Sequence, residues 1–166
     1  MLKRFKKVAI ASPTFSTHND LVNELRQLSE EVVVNIDAKR FSEDELVDWL
    51  NHNGADRVIL GTEKLSSKGI EKLKHITHVG KFGVGCDNID IDGLRKRGIH
   101  FGWEGGVNRR SVSEMALGFM LGHCRNLFRT ADLMQRGTWL KNGGVQLSER
   151  TIGIVGFGFI GSDLAK

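Results

Sequence analysis

The feature that most constrains this sequence is an alternation of short apolar runs with amphipathic stretches over its first hundred residues. The apolar runs, each bounded by turn residues, predict buried strands at 7–11, 32–34, 57–61, 78–82 and 99–103. The stretches between them predict helices at 19–28, 42–50, 66–73 and 91–97, and Ser42 with Glu45 forms a capping box for the second. Strands that alternate with helices predict an α/β fold with a parallel sheet and crossover connections.

After about residue 104 the pattern changes. Positions 108–138 contain no strong helix breaker and are apolar on more than one face, which predicts one helix of about 28 residues, roughly 40 Å long. A helix that is apolar nearly all round is buried on several sides, either between domains or against a partner subunit. A further buried strand is predicted at 151–155, and Phe159 begins another helix.

Composition and charge exclude several classes of function. The 166 residues carry a net charge of +4, and charges of both signs are interspersed outside one basic run at 3–7, so we expect no nucleic-acid partner. No apolar run approaches the length of roughly 18 residues that a membrane span needs. Cys86 and Cys124 lie far apart and outside metal-binding spacing, which favours a reducing, cytoplasmic setting and no metal site.

The strongest local motif is Gly156-Phe157-Gly158-Phe159-Ile160-Gly161, placed between a predicted strand and a predicted helix. This is the context of the dinucleotide-binding fingerprint. The first glycine permits the tight turn, the second admits the pyrophosphate to the backbone, and the third allows close helix–strand packing. The helix N-terminus then offers free N–H groups to the phosphates.

A second glycine cluster follows the strand at 78–82. Gly83 and Gly85 flank Val84, but Asn88 stands where a fingerprint would have its third glycine, so this is not a second dinucleotide motif. Two glycines around one residue expose backbone N–H groups in a nest that suits a small anion. On these residues alone, a ligand-binding loop and a structural turn are equally good interpretations.

Six segments together resemble the D-isomer-specific 2-hydroxyacid dehydrogenases in order and spacing over roughly residues 78–166, and the first ~75 residues match in layout. The segments are 83–90, 97–99, 106–108, 111–114, 136–139 and 147–161.

The resemblance implies a flavodoxin-like substrate-binding domain at 1–103, followed by the incomplete start of a Rossmann NAD-binding domain at 104–166. Members of the family exchange a hydride between NAD(H) and a D-2-hydroxy acid or its 2-oxo acid. By this likeness the backbone of Val84 and Gly85 binds the substrate carboxylate, and Val84 also lies near the nicotinamide. The helix near 109–136 forms a homodimer contact. The implied cofactor-binding residues of the fingerprint are Gly156, Gly158, Phe159, Ile160 and Gly161.

Two departures from the family pattern affect these expectations. Trp103-Glu104-Gly105-Gly106 stands where the family usually has an Asn-x-Pro-Gly turn, which puts a bulky ring beside the active-site cleft and indicates a different substrate. The family's catalytic Arg, Glu and His fall beyond Lys166, so no catalytic residue is assigned and the chain alone is expected to be an inactive fragment. The implied cofactor is NAD, and NADP stays as an alternative because the residue that contacts the ribose is expected beyond Lys166. The alternative is a complete, non-catalytic dimerisation or ligand-sensing module derived from such a dehydrogenase.

Overall fold

The computed structural model describes residues 5–141 and 143–166. Positions 3 and 4 of the basic run lie outside the described residues. Contacts between Cα atoms divide the chain into a first unit that ends at Glu104 and a second unit that begins at Gly105.

The first unit is a parallel five-stranded sheet with the strand order β2-β1-β3-β4-β5. The register is continuous: Ile10 pairs with Val34 on one side and with Ile59 on the other. Its elements in chain order are β1 (Phe5–Ile10), α1 (Pro13–Ser16), α2 (Asn19–Leu28), β2 (Ser29–Val34), α3 (Glu43–Asn53), β3 (Arg57–Leu60), α4 (Ser67–Lys72), β4 (His78–Lys81), α5 (Ile91–Lys96) and β5 (His100–Gly102). The predicted α/β class and parallel sheet are confirmed.

The core of the first unit lies between the sheet and helices α3, α4 and α5. Each of these helices contributes side chains to one buried cluster with the strands β1, β3 and β4. Fully buried leucine and isoleucine side chains dominate it, and burial of each such side chain stabilises the fold by about 1.5–3 kcal/mol. Its largest fully buried members are Leu46, Leu50, Leu60, Leu65, Ile70 and Leu94.

Local sequence signals set the ends of the helices in the first unit. The predicted capping box is present: the Ser42 side chain accepts from the Glu45 N–H, and the Glu45 side chain accepts from the Ser42 N–H. Asp90 caps α5 through the N–H of Gly93 at 2.9 Å. The structure adds the short helix α1, which we did not predict. Ser12 caps it and Pro13 occupies its first turn.

The second unit contains three described helices: α6 (Arg109–Cys124), α7 (Leu127–Gln135) and α8 (Phe159–Leu164). The prediction of one uninterrupted helix over 108–138 is wrong. Asn126 adopts φ +55°, in the left-handed region, and this residue separates α6 from α7. In the described ranges, no helix combines the length and the apolar character that a bilayer crossing requires.

The strand predicted at 151–155 is also not formed. The run is apolar as predicted, but a parallel strand satisfies its backbone groups only through neighbouring strands. Within the described part of the second unit there is no strand with which it could pair. Val155 is fully exposed and Ile152 is nearly half exposed.

Candidate functional site

The glycine loop, residues 83–85, begins where β4 leaves the sheet. The last sheet-like bond is donated by Phe82 N–H to the Leu60 carbonyl at 2.7 Å. Among the described residues, the N–H groups of Gly83, Val84 and Gly85 have no hydrogen-bond acceptor. Gly83 has φ +126°, a conformation that side-chain-bearing residues rarely adopt. The loop therefore presents adjacent, unpaired donors at the carboxyl edge of the sheet, where open α/β sheets bind ligands.

A network of polar side chains connects the residues on either side of this loop to the turn that follows β3. Lys81 Nζ donates to the Gly61 carbonyl and, at 2.9 Å, to Asn88 Oδ1. Asn88 Nδ2 donates to the carbonyls of Gly61 at 3.2 Å and Glu63 at 2.5 Å. The Gly61 N–H in turn donates to the buried Glu63 carboxylate at 2.6 Å. These bonds fix both ends of the loop to the turn that follows β3.

Trp103 holds the loop from the side of β5. Its indole Nε1 donates to the Val84 carbonyl at 3.0 Å. This bond uses the acceptor of Val84 and leaves its N–H free. Trp103, expected from the sequence to lie beside the substrate, thus contacts the predicted carboxylate loop directly.

The fingerprint turn, residues 156–161, has the backbone geometry that its glycines predict. Gly156 has φ +92°, in the left-handed region. A Cβ at Gly161 would lie 2.2 Å from the Gly156 carbonyl oxygen, so a side chain there would force the turn apart. The first and third glycines are therefore required by the conformation of the turn itself.

Free donors also stand at the start of α8. The N–H groups of Phe159, Ile160 and Gly161 have no hydrogen-bond acceptor among the described residues, and the first intrahelical bond is donated by Ser162 to Gly158. Gly158 is the N-cap residue and brings no side chain that could compete for these donors. A phosphate group fits such a cradle, because it supplies acceptors and negative charge together.

A buried carboxylate ties α8 to α6 within the second unit. Ser113 Oγ donates to Asp163 Oδ2 at 2.7 Å, and Arg110 lies 3.2 Å from Asp163 Oδ1. The Ser113 hydrogen bond, followed by the positive charge of Arg110, lowers the pKa of Asp163 below its ordinary value of 3.8. This contact fixes the helix whose N-terminus carries the free donors.

The histidines of the sheet lie away from the glycine loop. His78 and His100 stack with ring centroids 4.8 Å apart at the amino ends of β4 and β5, whereas the loop follows the carboxyl end of β4. Burial, followed by the charge of Arg57, lowers the pKa of His78. In the part of the chain that the structure describes, no three His, Cys, Asp or Glu side chains form a potential metal site, and both cysteines are free.

The structure places the predicted site residues in two separate turns and adds supporting residues that the sequence did not predict. Val84 and Gly85 lie in one exposed turn of the first unit, and positions 156–161 form one turn of the second. The support of the glycine loop by Lys81, Asn88 and Glu63 was missed, because the bonds of Lys81 and Asn88 to the turn after β3 join residues 20 to 27 positions apart.

Comparison with known proteins shows the family. The family model described as D-isomer specific 2-hydroxyacid dehydrogenase, catalytic domain, matches residues 8–157. The chain belongs to this family. It is 33% identical over 111 residues to the hydroxypyruvate reductase of Thermotoga maritima, which covers 66% of this chain and 36% of that protein. It is 29% identical over 162 residues to the D-3-phosphoglycerate dehydrogenase of Methanocaldococcus jannaschii, covering 96% of this chain and 29% of that protein.

Solved structures share the fold. A D-isomer specific 2-hydroxyacid dehydrogenase from Polaromonas superposes with a TM-score of 0.82 at 23% identity, over 97% of this chain and 51% of that one. The NAD⁺-bound 3-phosphoglycerate dehydrogenase of Entamoeba histolytica gives 0.71 at 24% identity, over 98% and 50%. The chain spans about a third of the length of these curated relatives and about half of these solved chains.

Proposed function

We propose that this chain provides the substrate-carboxylate loop and the cofactor-phosphate turn of an NAD(P)-dependent dehydrogenase that interconverts a D-2-hydroxy acid and its 2-oxo acid. The observation that carries the proposal is the pair of unpaired N–H clusters, at Gly83–Gly85 and at Phe159–Gly161, each after a strand or strand-like run. Family membership supports the dehydrogenase over a non-catalytic sensing module.

The glycine loop binds the carboxylate of the substrate. The N–H groups of Val84 and Gly85 donate to its two oxygens, because these donors have lost their sheet partners and nothing described replaces them. The Lys81–Asn88 network and the Trp103 bond keep the donors in place before the substrate arrives. Pre-organisation of this kind lowers the entropic cost of binding.

The fingerprint turn binds the pyrophosphate of the cofactor. Gly156 makes the turn, Gly158 leaves the approach open, Gly161 packs closely, and Phe159 and Ile160 donate their N–H groups. The chemistry that a bound nicotinamide supplies is hydride exchange with the carbon that bears the hydroxyl group. Val84 is proposed to lie near the nicotinamide, in agreement with the family resemblance.

The reaction further needs a cation that polarises the carbonyl group and a general acid. His78 and His100, at the amino ends of their strands, do not reach the glycine loop. We therefore expect the isolated chain to show no turnover with NADH and glyoxylate, pyruvate or hydroxypyruvate. Measurable turnover by the purified 166-residue chain would contradict this assignment of roles.

The helices α6 and α7 are proposed to form a homodimer contact. They expose several large apolar side chains, among them Met115, Phe119, Leu127 and Phe128. Contiguous apolar patches above a few hundred Å² are typical of interaction sites.

The two free cysteines agree with the proposed cytoplasmic setting.

A variant of the glycine loop tests the ligand assignment in any active enzyme that contains this chain. A Cβ at Gly85 would lie 3.2 Å from Asp87 Oδ1, so Gly85→Val displaces Asp87 or the loop and disturbs the N–H groups proposed to bind the carboxylate. We expect the KM for a 2-oxo acid to rise about tenfold, equivalent to about 1.4 kcal/mol of binding. The Kd for NADH changes less, because its phosphates bind at 156–161. Loss of NADH affinity with an unchanged KM would mean that the loop binds the other ligand.

A further inference from the structure

Beside the glycine loop lies an open hollow of about 400 Å³ with aromatic walls. Phe15 follows β1, Phe82 follows β4 and Trp103 follows β5, so all three rings lie at the carboxyl edge of the sheet. We call this the aromatic hollow. Resting on the proposed function, we propose that it receives the side chain of the 2-oxo acid, and that this side chain is apolar, of about the size of a phenyl ring, and carries no phosphate group.

The walls of the aromatic hollow are held in place. The rings of Phe15 and Phe82 meet edge to face with centroids 5.1 Å apart. The indole of Trp103 is fixed by its bond to the Val84 carbonyl. Edge-to-face packing stabilises a ring pair beyond its buried area, so these rings form a defined surface.

Two glycines on neighbouring strands line the aromatic hollow, and both also line the adjoining cavity that contains His78 and His100. Gly80 and Gly102 are register partners in β4 and β5. A Cβ at Gly80 would meet no heavy atom closer than 3.8 Å, and one at Gly102 none closer than 3.9 Å. Neither residue has a positive φ. The backbone does not require glycine here, and the effect of these glycines is to leave space above the sheet.

The aromatic hollow adjoins the proposed carboxylate site. Lys81 and Phe82 line both it and the neighbouring cavity of about 370 Å³ around Gly83–Asn88. Phe82 directly precedes Gly83. A 2-oxo acid whose carboxylate binds the glycine loop therefore has its remaining carbon chain within reach of the three rings.

Charge in the aromatic hollow disfavours a phosphorylated substrate. Its charged lining residues are Lys81 and Glu104. Lys81 Nζ is already bonded to the Gly61 carbonyl and to Asn88 Oδ1. The Glu104 carboxylate repels an anionic group. The two charges cancel, so a phosphate ester would meet no excess positive charge, whereas an aryl group would meet three rings.

Binding to this chain tests the proposal by saturation-transfer NMR with phenylpyruvate, pyruvate and 3-phosphohydroxypyruvate as the probes. We expect phenylpyruvate to bind at least tenfold more tightly than pyruvate, and 3-phosphohydroxypyruvate to bind no more tightly than pyruvate. Intermolecular NOEs should connect the phenyl protons of the bound ligand with the ring protons of Trp103 or Phe82. These measurements on the unsubstituted protein do not depend on the folding of any variant.

Two matched glycine substitutions sharpen the test. Gly102→Val fills the aromatic hollow and should weaken phenylpyruvate binding about tenfold, while pyruvate binding stays within twofold. Gly153→Val, at a glycine with open space around its Cβ position in the second unit, should change neither. Circular dichroism checks that both variants fold.

The outcomes separate this inference from the proposed function. If Gly85→Val weakens pyruvate binding, the proposed function stands. If the chain then shows no preference for phenylpyruvate, or if Gly102→Val has no effect on phenylpyruvate binding, the inference is overturned. Failure of all three acids to bind contradicts both. Tighter binding of 3-phosphohydroxypyruvate than of phenylpyruvate overturns the inference alone.

Discussion

The two units of this chain differ in how far they bury their large apolar side chains. In the first unit, five paired strands and three helices enclose a cluster in which Leu46, Leu60 and Leu94 are fully buried. In the second unit, the large apolar side chains of α6 and α7 remain substantially exposed, and the apolar run at 151–155 is unpaired. Large apolar side chains therefore form a core in the first unit and an exposed surface in the second.

The largest effect expected from this difference is on stability. Leu60 is fully buried, whereas the Leu127 side chain is 54% exposed. Leu60→Ala leaves a cavity and should lower the free energy of unfolding by about 2–5 kcal/mol. The matched Leu127→Ala change, measured at protein concentrations at which the chain is monomeric and Leu127 lies outside any dimer contact, should cost less than about 1 kcal/mol. Urea denaturation followed by circular dichroism measures both, and equal losses would show that the second unit has a core of comparable density.

The second prediction concerns association. Phe119 in α6 is 59% exposed, and Ile36 in the first unit is 88% exposed. If α6 forms the homodimer contact, Phe119→Asp places a charge in an apolar interface and should raise the dimer dissociation constant at least tenfold. Ile36→Asp should leave it unchanged, although it removes a more exposed apolar side chain.

Multi-angle light scattering at micromolar concentration measures this difference. If the unsubstituted chain is monomeric, or if both variants weaken the dimer equally, the contact is not formed by α6. Retention of the dimer in Phe119→Asp together with its loss in Ile36→Asp would move the contact to the first unit.

The contrast between the units also shows how far the sequence could predict the structure. In the first unit, helix ends depend on local signals such as the Ser42–Glu45 capping box, and strands depend on short apolar runs that find partners. These predictions are confirmed. In the second unit, the run at 151–155 carries the same signal but has no described strand beside it, so the local pattern alone was insufficient.

The candidate site shows the same limit. The turn at 156–161 was predicted from its glycine spacing between a strand and a helix. The role of the loop at 83–85 came from the family resemblance, since its residues alone left a ligand loop and a structural turn equally open. The break between α6 and α7 at Asn126 was not predicted, since an asparagine inside an apolar helical pattern is a weak signal for a left-handed conformation. Three features depend on the sheet register and became visible with the fold. They are the bonds of Lys81 to Gly61 and Asn88, the bond of Trp103 to the glycine loop, and the paired glycines that line the aromatic hollow.

The smallest expected effects concern one carboxylate in each unit, both bound by a serine hydroxyl. The pKa of Glu45 is lowered to about 2, first by the hydrogen bond from Lys39 and then by the backbone and side chain of Ser42. The pKa of Asp163 is lowered first by the hydrogen bond from Ser113. Each carboxylate stabilises the fold above its ordinary pKa, and this contribution is lost as the pH falls through the lowered folded-state value.

Removal of each serine hydroxyl should therefore have unequal consequences. Ser42→Ala leaves the Lys39 bond at 2.8 Å in place, so the pKa of Glu45 should rise only slightly. Ser113→Ala removes the largest cause of the Asp163 shift, so the pKa of Asp163 should return most of the way toward 3.8, with Arg110 retaining a small part. Carboxyl ¹³C NMR titration measures both values. A larger rise at Glu45 than at Asp163 would mean that Ser113 is not the main partner of Asp163 and that α8 is held to α6 chiefly through Arg110.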